Sequence, residues 1–163
     1  MSDDGTAANF ADMVNALPDG WARATGLRFV AATPDTVTAE VTIGPHHLQP
    51  YGIVHGGVYA GIVEALASIG AALNVMPQGK SAVGLDNHTC FVRACRAGTL
   101  HASAVPVTRG SRTHVWDVTI ADDGGRLLAT GRVRLLVLDA TSEVAGGTLE
   151  LLHGPATGPA TAT

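Results

Sequence analysis

Residues 56–75 are apolar on nearly every side, and only Glu64, Ser68 and Asn74 interrupt the run with plainly polar side chains. This predicts one long helix over about residues 57–74, roughly 27 Å at ~1.5 Å per residue. A central carboxylate, many Gly and Ala, and no flanking Lys or Arg argue for a buried helix rather than a membrane span. Elsewhere the pattern alternates. Residues 27–33 and 36–43 are β-branched runs separated by Pro34-Asp35, a hairpin signal. After the helix come strand-length segments at 81–94, 99–108, 112–121 and 126–138, joined by Arg96-Ala97-Gly98, Arg109-Gly110-Ser111 and Asp122-Asp123-Gly124-Gly125. Such short connections suit antiparallel hairpins. In the last segment the period of two puts Leu127, Ala129, Gly131, Val133, Leu135 and Val137 on one face and Arg126, Leu128, Thr130, Arg132, Arg134 and Leu136 on the other.

The order is therefore β-β-α-β-β-β-β, an α+β fold with an antiparallel sheet wrapped around one central helix. A helix apolar all round needs more cover than one sheet gives, so packing alone predicts a homo-oligomer. Residues 1–20 read as an N-terminal segment with a short helix near 10–17 and a Leu-Pro-Asp-Gly turn, and 21–140 as the domain. Residues 141–163 read as a tail, disordered from 154 because its small polar repeats bury too little.

Composition narrows the classes. With 163 residues, 46% hydrophobic and 15% charged, the chain is one domain with a real core rather than a disordered polymer. Aromatics are 4%, so Ala, Val and Leu must pack in closely approaching layers, and Ala65, Ala67, Gly70, Ala71 and Ala72 permit this on the helix. A net charge of −4 argues against nucleic acid as a partner. Eight of the ten basic residues nonetheless lie from Lys80 onward, which leaves room for a local cationic site. Cys90 and Cys95 are too few and too close for a disulfide framework, and they lack metal-ligand spacing. The N-terminus shows no signal-peptide pattern, which makes cytoplasm the expectation.

Chemistry concentrates in His46-His47-Leu48-Gln49-Pro50-Tyr51-Gly52-Ile53-Val54-His55-Gly56-Gly57, followed nine residues after His55 by Glu64. Glycines at a helix start leave backbone N–H groups unshielded at the positive end of the helix dipole, an arrangement suited to an oxyanion. Taken alone it better describes a tight loop with a glycine N-cap. Glu64 sits two turns into an apolar helix with no Lys or Arg at i±3 or i±4. It either points to solvent through a gap, bonds Ser68 at i+4, or serves as a base or nucleophile in a cleft. His46 and His47 find no third ligand at metal spacing, so no metal is expected.

G-x-x-H-G-G followed by a helical carboxylate, after two strands and before four, resembles the hotdog-fold acyl-CoA thioesterases. The likeness is to the group containing the phenylacetate-pathway and 4-hydroxybenzoyl-CoA enzymes, over about residues 21–138. Many relatives have Asn upstream and Asp on the helix; Gln49 and Glu64 here resemble the glutamate-using branch. The resemblance implies Gly56 as the N–H donor polarising the thioester carbonyl with Gln49 beside it, and Glu64 as nucleophile or general base. It also implies Ser68 placing water or the acyl group, and His55 mainly fixing the loop. An aromatic acyl group such as 4-hydroxybenzoyl is implied, with Tyr51, Tyr59, Phe91 and Trp116 as candidate pocket walls or simply core.

The same resemblance gives the arginines a purpose. Gly57, Arg93 and Arg109-Gly110-Ser111-Arg112 look like the region where relatives hold coenzyme A, whose phosphates suit guanidinium and turn N–H groups. Coenzyme A is then part of substrate and product, with no separate cofactor, and the assembly is a dimer at least, with the tetramer common among relatives. Two rivals stand beside this. One is a hotdog hydratase or dehydratase using His55 and Glu64, although a G-D-x-N-P-x-H run is missing; the other is a non-catalytic acyl-CoA-binding module. Serine-hydrolase, dinucleotide and phosphate-loop signatures are absent from the sequence.

Overall fold

The computed structural model describes residues 8–149. The expected tail at 154–163, and the first seven residues of the N-terminal segment, lie outside them. Two short helices, α1 (Ala11–Asn15) and α2 (Gly20–Thr25), precede strands β1 (Arg28–Ala32) and β2 (Val37–Thr42). The long helix α3 (Gly56–Val75) follows, then β3 (Lys80–Phe91), β4 (Thr99–Arg109), β5 (Thr113–Ala121) and β6 (Leu127–Asp139). The six strands form one antiparallel sheet in the order β1-β2-β4-β5-β6-β3.

The sheet curls around α3, whose Tyr59, Ile62, Val63, Leu66, Ala67, Gly70, Ala71 and Val75 are buried. The stretch Gly56–Gln78 is long and apolar enough to cross a membrane by length and composition, yet here it is the core helix. Glycine lets sheet and helix approach: a Cβ on Gly70 would lie 2.5–2.8 Å from the ring of Trp116, which is 0% exposed. The β1–β2 hairpin closes as its Pro-Asp turn predicts, with Thr33 N–H donating to Thr36 O at 2.9 Å.

Three expectations need correction. The Leu-Pro-Asp-Gly stretch does not end in a turn: Asp19 caps α2, its Oδ1 accepting from Ala22 N–H at 3.0 Å, and Gly26 closes the helix at φ 64°. The clean alternation of β6 breaks at its start, where a register shift between Ile120 and Ala121 leaves Leu127 exposed and buries Leu128 beside Ala129. The segment after residue 140 carries a small hairpin, β7 (Glu143–Val144) and β8 (Gly147–Thr148).

β3 ends the sheet. Its outer edge has no strand partner among the described residues, and Leu85, Phe91 and Val92 beside or just beyond it are more than half exposed. A bare twelve-residue edge is unusual in a stable monomer, because its unpaired N–H and C=O groups template another strand.

Candidate active site

The loop before α3 is stitched into one shape. His47 is 2% exposed; its Nδ1 accepts from Gly44 N–H at 2.8 Å, which leaves Nε2 to donate to Thr25 O at 2.9 Å. His55 N–H donates to His47 O, Val54 N–H to Cys95 O, and Leu48 bridges Val54. The Arg96 guanidinium clasps the loop tip by donating to the carbonyls of Tyr51 (2.8 Å) and Gly52 (3.0 Å). His47 thus spends both ring nitrogens on the backbone, and among the described residues no three His, Cys, Asp or Glu side chains are placed to hold a metal ion.

That loop delivers the start of α3. His55 is its N-cap, Nδ1 accepting from Gly57 N–H at 2.9 Å. The Gly56 N–H meets no acceptor among the described residues, and the Phe91 ring lies where a Cβ on Gly56 would fall, 2.7 Å from the nearest ring carbon. A Cβ there would push the half-exposed Phe91 ring aside, so glycine lets the ring pack directly over the helix start. Gln49 is half-buried; its backbone closes the turn to Ile53 and Gly52, and its amide makes no hydrogen bond among the described residues. The amide and the Gly56 N–H are the free donors of this end.

Glu64 is half-buried on α3 and forms no ion pair among the described residues. Its Oε1 meets the Ser68 hydroxyl at 3.4 Å, and its Oε2 accepts from Asn87 Nδ2 at 3.1 Å. Gly84 of β3 forms the floor of this seat: a Cβ there would lie within 3.0 Å of Oε1. A carboxylate kept on an apolar helix without a cation keeps its basic lone pairs for other use. Asn87 and Gly84 could not be singled out beforehand, since both belong to the site only through tertiary contact.

One copy of the chain does not bring the two halves together. Gly56 and Glu64 are eight residues apart on one helix, about 12 Å of axial rise, whereas a reacting carbonyl must lie within ~3 Å of both its oxyanion donor and its attacker. The candidate coenzyme A residues also divide. Arg93 follows β3 at the Phe91 end, its N–H bonded to Leu128 O; the Arg109–Arg112 hairpin lies at the opposite end, where Val137 N–H bonds Arg112 O. Arg109 is itself engaged, donating to Asp35 Oδ1 (2.7 Å), Asn74 Oδ1 and Pro34 O. Beside that hairpin is a cavity of about 260 Å³ lined by Arg109, Ser111, Asn74, Gln78 and His114. His114 is 3% exposed with Nδ1 unpartnered, and burial, then the Arg109 charge, pushes its pKa below the usual 6.5.

The aromatic residues sort clearly. Trp116 and Tyr59 are core; burial, with Cys95 nearby, pushes the Tyr59 hydroxyl up to about 12. Tyr51 is 80% exposed at the loop tip, and Phe91 lies over Gly56. A fifth, Trp21 of α2, stacks on Gly61 one turn before Glu64 and is partly exposed.

Comparison with known proteins identifies the family. The family model described as "Thioesterase superfamily" matches residues 51–129. A Mycobacterium tuberculosis protein named as an esterase, Rv1847, is 44% identical over 117 residues, 71% of this chain and 84% of its own. The 1,4-dihydroxy-2-naphthoyl-CoA hydrolase of Escherichia coli is 31% identical over 112 residues, 69% of this chain and 82% of its own. Among solved structures, Rv1847 superposes with a TM-score of 0.73 at 40% identity, covering 75% of this chain and 98% of that one. A variant of thioesterase PA1618 from Pseudomonas aeruginosa gives 0.75 at 28%, covering 78% and 93%. With a sheet curled around one helix, and with relatives that share most of its length, this chain belongs to the thioesterase superfamily of hotdog-fold thioester hydrolases.

Proposed function

We propose that the chain is a cytoplasmic acyl-CoA thioesterase that hydrolyses an aromatic acyl-CoA to the carboxylic acid and free coenzyme A. The carrying observation is Glu64: a carboxylate on an apolar helix, without a cation partner among the described residues and seated on Gly84 beside Ser68. A thioester carbonyl gains negative charge as it becomes tetrahedral, and the Gly56 N–H with the Gln49 amide is suited to receive it. Glu64 then either attacks the carbonyl carbon, giving a mixed anhydride that water opens, or takes a proton from the attacking water. In both routes the C–S bond breaks, the sulfur leaves as thiolate and takes up a proton, and water supplies the new carboxylate oxygen. The aromatic preference is supported by the bicyclic aromatic acyl group in the name of the E. coli relative and by the Trp21 face beside Glu64.

The proposal includes an assembly of two copies at least, in which each site is shared. α3 runs antiparallel to β3, with Gly56 at the Phe91 end and Glu64 over Gly84 and Asn87. Antiparallel pairing of two bare β3 edges, with Phe91 opposite the partner's Gly84, sets Gly56 of one copy facing the partner's Glu64. The same pairing sets Arg93 of one copy toward the partner's Arg112, so the phosphates of coenzyme A meet cations from both.

The test is thiol release from a panel of aromatic and aliphatic acyl-CoAs by wild type and Glu64→Ala. The expectation is turnover fastest with aromatic acyl groups and a loss of at least about a hundredfold in kcat for the variant. Arg112→Glu should raise KM with little change in kcat. Binding without release from any substrate would replace the hydrolase reading by that of an acyl-CoA-binding module.

A further inference from the structure

Asn87 holds the Glu64 carboxylate by more than one contact. Its Nδ2 donates both to Glu64 Oε2 (3.1 Å) and to the Ala60 carbonyl (3.0 Å), while its Oδ1 accepts from the Thr89 hydroxyl at 2.7 Å. A backbone carbonyl only accepts, so the Ala60 contact fixes which end of the amide is nitrogen. Both N–H groups and the oxygen are then committed, and the amide cannot turn without losing all three bonds. Asn87 and Thr89, two apart on β3, share the face toward α3.

The strand is shaped for this. Gly84 and Asn87 both address Glu64 although they are three residues apart, a spacing that in a regular strand points side chains to opposite faces. The register shift between Gly84 and Asp86, with Leu85 as the extra residue, restores them to one side. Bulges of this kind re-aim side chains, and here the result is a seat with a glycine floor and an amide wall.

Resting on the hydrolase reading above, we infer that Asn87, locked by Thr89, is a positioning residue that ties down Oε2 of Glu64 and thereby assigns Oε1 as the oxygen that attacks or takes the proton. Oε1 has only the long 3.4 Å approach of Ser68 and no other donor among the described residues. Its lone pairs stay free while the Asn87 bond holds the carboxylate in one orientation. The effect falls on the chemical step, since Asn87 touches the carboxylate and the helix backbone rather than any element assigned to coenzyme A.

The decisive comparison is Asn87→Asp, nearly isosteric but with an acceptor where the donor was, made in wild type and in Glu64→Ala, together with Thr89→Val and Thr89→Ser. In the wild-type background Asn87→Asp should lower kcat on the order of tenfold to a hundredfold, as a misplacement approaching 1 Å does, with KM within about twofold. Thr89→Val should lose about threefold to tenfold, the value of one hydrogen bond, and Thr89→Ser should keep wild-type activity. In the Glu64→Ala background Asn87→Asp should remove nothing further from the residual rate. Unchanged kcat in Asn87→Asp, a loss confined to KM, or full additivity with Glu64→Ala would each overturn the assignment. The Thr89 pair carries the same test if Asn87→Asp fails to fold: equal rates in Val and Ser variants would refute it. Normal turnover by Glu64→Ala would instead defeat the role given to Glu64, and no release by wild type would defeat the hydrolase reading itself, each a distinct result.

Discussion

Gly84→Ala isolates the position of the Glu64 carboxylate from everything else in the fold. The added methyl would fall within 3.0 Å of Oε1 and 3.3 Å from Cδ. An ordinary contact requires the carboxylate to withdraw by roughly 1 Å, which also stretches the 3.1 Å bond from Asn87 beyond hydrogen-bond range. A displacement of that size at a reacting group costs about a hundredfold in rate, or about 2.7 kcal/mol of transition-state stabilisation at 1.36 kcal/mol per decade. The fold has little to lose. Gly84 is not among the glycines with positive φ, so alanine fits its backbone, and the atom displaced is the tip of a flexible side chain. Replacing Gly by Ala also narrows the unfolded ensemble, a gain of about 0.4–1 kcal/mol. The expected result is therefore a kcat on aromatic acyl-CoA down about a hundredfold with Tm unchanged or slightly raised. A variant within about twofold of wild-type kcat would show that the seat of Glu64 does not govern the reaction, and collapse of the fold would show that the glycine serves the sheet instead.

The remaining predictions concern the core and its titration. Tyr59→Phe removes a buried hydroxyl with no partner among the described residues and should stabilise by about 1 kcal/mol, a rise of roughly 2–4 °C in Tm by calorimetry. Gly70→Ala drives a methyl into the wholly buried Trp116 ring and should cost about 1–3 kcal/mol, seen as a lower midpoint in denaturant with unchanged slope. The buried His114 is held below 6.5, so above that value neither state carries its proton. As pH falls through 6.5 the unfolded chain takes up a proton that the folded chain refuses, and stability declines toward acid. His114→Leu should flatten that decline in a pH series of Tm; identical slopes would refute it. The carboxylates act in a separate window. A side-chain hydrogen bond from Arg132 holds Asp117 below 3.8, one from Arg126 does so for Asp122, and the Thr99 N–H does so for Asp123; their contribution is complete above 3.8 and lost only as pH falls below it.

Much of this molecule could be read from the chain because its determinants are local. The order of strands and helix follows from periodicity and short turns, and α3 begins and ends within one residue of its expected bounds. Glu64 and Ser68 stand out because a carboxylate and a hydroxyl at i, i+4 must meet on a helix. What escaped was set by tertiary geometry or by an ambiguous local signal. Pro-Asp-Gly fits both a turn and a helix start, and only the Ala22 N–H on Asp19 decides between them. Asn87 joins the site because a bulge two residues earlier turns it toward α3, and no pattern in Leu-Asp-Asn-His-Thr announces a bulge. The division of the arginines between the two ends of the sheet depends on strand length and direction, which residue types alone do not encode.

The two tryptophans lie in opposite surroundings, and that makes the molecule its own optical instrument. Trp116 is sealed beneath α3 at 0% exposure, whereas Trp21 is 39% exposed where α2 rests on Gly61. Emission from Trp116 is blue and shielded from a dissolved quencher, while that from Trp21 is redder and open to it. With no third indole in the sequence, two spectral components report two events. One is the lifting of α2 from the helix beside Glu64, and the other is the opening of the core. A loss of the red component before the blue would mean that α2 detaches while the sheet still holds, a local opening well below the global unfolding free energy.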